Sequence, residues 1–180
     1  RPEAALVAFD QALGLWRGRA YATIPGPFAE VERTHLEELR LTVIEERTVG
    51  PSLDPVECAK GLRVVPHATW ETAGKLDVLV YPGGMGTRRE LKDEAVLDRI
   101  RGLAGTGTLM TSVCTGSLVY ADAGLLDGRP ATTYWGSVDR LDELGKDIQV
   151  DRESRFVDDG DIVTAAGVSA GIDMALHLVA

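Results

Sequence analysis

The chain has 180 residues, 44% hydrophobic and 26% charged, the size and make-up of one globular domain with a real core. Lys and Arg total 19 against 28 Asp and Glu, a net charge of −9 with no basic run, so this domain is not expected to bind nucleic acid. No apolar stretch reaches the ~18 residues of a membrane span and no secretory signal is visible; the start at Arg1 reads as a trimmed segment.

In chain order, Ala4–Phe9 (AALVAF) reads as a short buried strand ended by Asp10. Residues 10–25 mix Leu13, Leu15 and Trp16 with Arg17-Gly18-Arg19 and read as a loop with some helical turn. Gly26-Pro27 opens a helix to about Leu39, with proline in the first turn where a missing N–H costs nothing. Leu41–Glu46 (LTVIEE) is β-rich, and a turn at Lys60-Gly61 predicts a small hairpin between the segment around Val56 and Val64-Val65. Leu76–Tyr81 (LDVLVY) is the clearest buried strand and stops at Pro82-Gly83-Gly84. From Arg88 to Leu103, apolar residues at 91, 96, 97, 100 and 103 predict one helix. Thr108–Val113 is a strand running into Cys114, followed by a helix over Thr115–Ala123 closed by Gly124 and a turn at Asp127-Gly128. Ala131–Thr133 is a short strand and Val138–Leu144 a helix ended by Gly145. Ile148–Val150, Ser154–Val157 and Ile162–Ala165 are strands, with Asp158-Asp159-Gly160 as the hairpin turn between the last two, and Gly167–Ala180 is a terminal helix. Strands alternating with helices predict an α/β fold, a mostly parallel sheet with helices on both faces, in a single domain over residues 1–180.

The chain has two cysteines, Cys58 and Cys114, in unlike contexts, so a disulfide framework is not expected and a reducing cytoplasm fits best. His35, His67 and His177 share no metal-ligand spacing, and no metal or cofactor is expected. Ligands of open α/β sheets bind beyond the carboxyl ends of the strands. Two such ends are glycine-rich here: Tyr81-Pro82-Gly83-Gly84-Met85-Gly86 and Ser112-Val113-Cys114-Thr115-Gly116. The second has the form of a nucleophile elbow, a sharp strand-to-helix turn with small residues two positions either side of the nucleophile. The elbow puts the Cys114 sulfur at the start of the next helix, where unpaired N–H groups and the helix dipole favour the thiolate. The Thr115 N–H, with a second N–H from the glycines after Pro82, would make an oxyanion hole. Gly83-Gly84-Met85-Gly86 lacks the Lys-Ser/Thr of a phosphate-binding P-loop. Cys58 reads as inert, and Trp135, just past a strand end, as a wall of the pocket.

The strings YPGGMGTRREL, TSVCTGSLVYADAGLLDGRPATTYW and AAGVSAGIDMALHLVA resemble the ThiJ/PfpI superfamily, and within it the isonitrile hydratase branch. The likeness covers about Leu76–Ala180 and reaches more weakly back to Gly26. It implies a flavodoxin-like, class I glutamine amidotransferase-like three-layer sandwich, a homodimer, and Cys114 as nucleophile. Thr115 stands where protease-like relatives have histidine, which argues against peptide hydrolysis, and Tyr134 stands where many close relatives have histidine. The family places an Asp or Glu four residues before the proline of its Gly-Pro helix start. Here that proline is Pro27 and the position is Thr23, so either the acid is absent or it comes from another register, such as Asp10.

The activity implied is addition of water to a small electrophilic carbon, most like isonitrile to N-substituted formamide through a Cys114 thioimidate. Gly83, Gly84 and Thr115 would stabilise charge and the Thr115 hydroxyl would orient water. Thr23, Tyr134 and Trp135 would bound the substrate, and the proton donor is unassigned. Alternatives are a glyoxalase- or deglycase-like enzyme, and a ligand- or redox-sensing domain such as the N-terminal part of an AraC-type regulator.

Overall fold

A computed structural model of the chain describes Pro27, residues 48–58 and residues 61–180. The strand expected at Ala4–Phe9, Asp10 and Thr23 in the loop 10–25, the helix running on from Pro27 and the β-rich Leu41–Glu46 lie outside the described residues. The chain divides into two compact units, Arg1–Ala73 and Gly74–Ala180.

In the first unit, β1 (Val49–Gly50) pairs in parallel with β4 (Ala68–Thr69). The expected hairpin is formed by β2 (Val56–Glu57) and β3 (Arg63–Val64), antiparallel, with Val56 opposite Val64. Its turn is closed by the Cys58 N–H donating to the Leu62 carbonyl at 2.7 Å, and Gly61 takes a φ of 82° that a side chain would resist.

The second unit carries a four-stranded sheet. In spatial order it runs β5 (Val78–Tyr81), β6 (Leu109–Val113), β10 (Ile162–Ala165) and β9 (Phe156–Asp158). The first three are parallel and only β9 runs against its neighbour. Tyr81 lies opposite Ser112, and Ala165 opposite Val113. The carboxyl ends of three strands therefore fall level, and Pro82, Cys114 and Ala166 emerge along one edge. A parallel pair, β7 (Pro130–Ala131) with β8 (Gln149–Val150), completes the strands of this unit.

Side chains alternate across the sheet. On one face Leu109, Val113, Val163 and Ala165 pack with Ala170 and Met174 of the terminal helix. On the other lies the helix after Cys114, Gly116–Asp122, buried from Gly116 to Ala121 because nothing in GSLVYA carries charge. Its Tyr120 ring sits 5.7 Å from that of Tyr81, and its hydroxyl donates to the Thr111 carbonyl at 2.9 Å. Each such buried aromatic or aliphatic side chain contributes roughly 1.5–3 kcal/mol. Helices cover both faces of a mostly parallel sheet, the α/β sandwich that the alternation of elements predicts.

The single helix expected over Arg88–Leu103 is two: α1 (Thr87–Glu90) and α2 (Glu94–Ala104). Lys92 breaks them at φ 66°, its N–H donating to Asp122 Oδ2 at 2.6 Å. Asp93 then caps α2, its carboxylate accepting from the N–H groups of Ala95 and Val96. The helix Gly116–Asp122 is α3 and Val138–Leu144 is α4, the latter preceded by a 3₁₀ turn over Trp135–Ser137. The terminal helix, α5, spans Ala170–Val179, starting three residues later than expected. The strand expected at Ala131–Thr133 is Pro130–Ala131, because the Thr132 N–H goes to the Thr164 side chain (2.9 Å) rather than to a ladder. Asp158 belongs to β9, opposite Val163, so the hairpin turn is shifted past it, with Gly160 at φ 86°.

Candidate active site

Cys114 follows β6 directly and adopts φ 59°, the left-handed region seldom taken by a residue with a Cβ. Such a conformation costs of order ~1–3 kcal/mol and persists only where its surroundings impose it. Here both ends of the residue are tied. Its N–H donates to the carbonyls of Ala165 (3.0 Å), the last residue of β10, and Ala166 (2.9 Å), just beyond it. Its carbonyl accepts from the hydroxyls of Thr133 (2.9 Å) and Ser117 (3.2 Å). The residue is half-buried, and Sγ has no hydrogen-bond partner among the described residues. Ser112, two positions earlier, is fully buried, and its hydroxyl has no partner among the described residues; its contribution to the turn is small size.

Two glycines let the ends of β5 and β6 meet. A Cβ on Gly83 would lie 2.6 Å from Cys114 Cβ, 2.7 Å from the Thr115 nitrogen and 2.8 Å from the Val113 carbonyl oxygen. One on Gly116 would lie 2.5 Å from the Tyr81 carbonyl oxygen. The Gly83 and Thr115 N–H groups have no backbone partner among the described residues. The Gly84 N–H, which the sequence reading grouped with them, donates to Thr115 Oγ1 at 2.9 Å. The Thr115 hydroxyl, which that reading gave to a water, also lies 3.2 Å from the Gly84 carbonyl and 3.2 Å from Thr87 Oγ1. Thr115 thus holds the glycine loop against the start of α3 through its side chain.

Tyr134 packs beside this turn. Cβ atoms on Gly136 and Gly167 would lie 2.8 Å and 3.1 Å from its ring, and Gly167 follows the carbonyl that binds the Cys114 N–H. The Trp135 ring packs against that of Tyr134, tilted by 52° with ring centres 5.1 Å apart, and stays 79% exposed. Val168, in the same loop as Gly167, is exposed at φ 41°. Asp10 and Thr23 lie outside the described residues. His67 bonds Thr48, and His177 bonds Asp158 at 2.7 Å. Among the described residues no three His, Cys, Asp or Glu side chains gather as metal ligands, and no helix is long and apolar enough to cross a membrane.

The sequence singles out Cys114, Gly83 and Thr115 but not two hydroxyls bonded around them, those of Thr133 and Thr87. Thr133 sits beside Tyr134 and Trp135 in a string already singled out. Thr87 carries no signal of its own, because its partner Thr115 is 28 positions away.

A layered α/β unit with a cysteine on a left-handed strand-to-helix turn defines a structural class. The sequence matches the DJ-1/PfpI family over residues 19–180, and the chain belongs to that family. It is 43% identical over 135 residues to an isonitrile hydratase of Pseudomonas putida, covering 75% of this chain and 58% of that protein. It is 36% identical over 126 residues to the HTH-type transcriptional regulator CdhR of Pseudomonas aeruginosa, covering 70% of this chain and 37% of that protein. A solved ThiJ/PfpI family protein from Pseudomonas syringae superposes with a TM-score of 0.66 at 40% identity, covering 73% of this chain and 54% of that one. The chain therefore spans only part of the length of these relatives.

Proposed function

We propose that the protein is a cysteine-dependent hydratase that converts an isonitrile to an N-substituted formamide. The observation that carries the reading is the Cys114 turn: a strained, half-buried residue tied at both ends, with the Gly83 and Thr115 N–H groups unpaired beside it. The likeness to isonitrile hydratase supports it.

The Cys114 thiolate attacks the terminal carbon of R–N≡C, and a proton is delivered to that carbon, giving the thioimidate R–N=CH–S. Water then adds to the carbon while the nitrogen takes a proton. The C–S bond breaks, the thiol is restored, and R–NH–CHO leaves. The N–H groups of Gly83 and Thr115 stabilise charge as it develops. Tyr134 and Trp135 flank the substituent R. The proton donor in this scheme is water or the Asp10 carboxylate that the sequence offers from another register. A thiol nucleophile suits a reducing cytoplasm, and a homodimer is part of the same reading.

The test is formamide production from an aryl isonitrile, followed by mass spectrometry. Wild-type protein should turn over and Cys114→Ala should not; equal activity of the two removes the nucleophile. Asp10→Asn should cost ~10²–10⁴-fold if Asp10 is the proton donor. The match to CdhR favours a second reading, a ligand-sensing domain that binds in the same pocket without turnover. Binding without consumption of either an isonitrile or methylglyoxal would favour it, and methylglyoxal turnover would favour a glyoxalase.

A further inference from the structure

We propose that Thr87 is a positioning residue for the Cys114 site, fixing the glycine loop so that the unpaired N–H groups keep their aim; this rests on the hydratase reading above. Thr87 is the first residue of α1, and it is only 4% exposed although polar. Its Oγ1 lies 2.8 Å from the Gly84 carbonyl oxygen and 3.2 Å from Thr115 Oγ1. Its own N–H reaches the same carbonyl at 3.3 Å.

Counting protons orders this cluster. Each hydroxyl has one proton to give, and a carbonyl has two lone pairs. The Gly84 N–H goes to Thr115 Oγ1. The Gly84 carbonyl then has three candidate donors: the Thr87 hydroxyl, the Thr87 N–H and the Thr115 hydroxyl at 3.2 Å. The Thr87 hydroxyl is the closest of the three and comes from the most buried residue. Gly84 sits at φ 124°, and a Cβ built on it would meet nothing within 4 Å, so it has no side chain to fix its orientation and nothing packs on that side. Hydrogen bonds hold both of its polar groups, and Gly83 is the next residue back along the chain. Without the Thr87 hydroxyl, the Gly84 carbonyl keeps only the two longer contacts, from the Thr115 hydroxyl at 3.2 Å and the Thr87 N–H at 3.3 Å, and the loop can rock. The N–H pair then no longer meets the developing charge in one fixed geometry.

Such looseness weakens the transition state more than ground-state binding. Removing an oxyanion donor outright costs ~10²–10³-fold in kcat, and loosening one should cost about tenfold. Thr87→Val, which keeps the shape and removes the hydroxyl, should lower kcat about tenfold with KM within about twofold, and Thr87→Ser should restore most of the rate. Unchanged kcat in Thr87→Val overturns the proposal. So does an equal loss in Thr87→Ser, because the side chain would then be acting as packing. Should wild-type protein not hydrate isonitriles, the hydratase reading fails by itself, and Thr87 is judged on the rate at which iodoacetamide alkylates Cys114. Slower alkylation in Thr87→Val, restored in Thr87→Ser, upholds the positioning role; equal rates in all three proteins overturn it.

Discussion

Replacing Gly83 with alanine puts one methyl group where the ends of β5 and β6 touch. That carbon would stand 2.6 Å from Cys114 Cβ, where carbon atoms settle at roughly 3.5–4.0 Å. It would also stand 2.7 Å from the Thr115 nitrogen and 2.8 Å from the Val113 oxygen. Two of these atoms are backbone and the third is fixed to it, so no side chain can swing aside. The strand ends must part by roughly 1 Å. Overpacking of this kind costs ~1–3 kcal/mol, and the upper end applies when backbone must move. At ~2–4 °C per kcal/mol for a chain of this size, Tm should fall by roughly 6–12 °C. A shift of ~1 Å at a reacting group costs about 10²-fold in rate. Thermal melting by circular dichroism and isonitrile turnover read the two effects separately. Gly84→Ala is the companion variant. Its Cβ meets nothing within 4 Å, so its penalty comes from the φ of 124° alone and should spare the Cys114 backbone. A Gly83→Ala protein with wild-type Tm and wild-type turnover would refute the close approach and the role given to the loop.

Tyr120→Phe removes the buried hydroxyl that ties α3 to the Thr111 carbonyl, and should destabilise the protein by ~1–2 kcal/mol in denaturant melts while leaving Cys114 alkylation unchanged. Asp93→Ala removes the cap of α2 and should cost ~1 kcal/mol, with no change in turnover, in the same melts. The pH dependence follows from Asp158. The hydrogen bond from His177, then the Gly160 N–H, hold its carboxyl below the usual range. Its stabilisation is therefore complete above the unfolded value of about 3.9 and is lost as pH falls through the lower folded value. Tm measured from pH 5 down to pH 2.5 should fall less steeply for Asp158→Asn than for wild type, and parallel curves would contradict the linkage.

The architecture was legible where one residue type has one structural use. Leu76–Tyr81 reads as a strand ended by Pro82-Gly83-Gly84, and the structure forms it over Val78–Tyr81; it is buried only at Leu79 and Tyr81, because Val78 and Val80 point to an exposed face. The small residues either side of Cys114 marked the elbow, whose left-handed φ the structure bears. Misreadings came from local signals that compete. Leu91 kept helix spacing across the break at Lys92, so Asp93, a good capping residue in plain view, was passed over. The Thr132 N–H left the strand ladder for a side chain 32 positions away, which no local pattern encodes. The same reason hid Thr87 and Thr133. Their worth lies in partners brought near by the sheet, and a lone threonine looks alike in every loop.

The central claim is that the turn, and not mere access, activates Cys114. The two cysteines provide the comparison, since Cys58 is exposed and Cys114 is half-buried. Labelling with less than one equivalent of iodoacetamide, followed by peptide mass mapping, should modify Cys114 well before Cys58. Modification of Cys58 first, in the order that exposure dictates, would contradict the account.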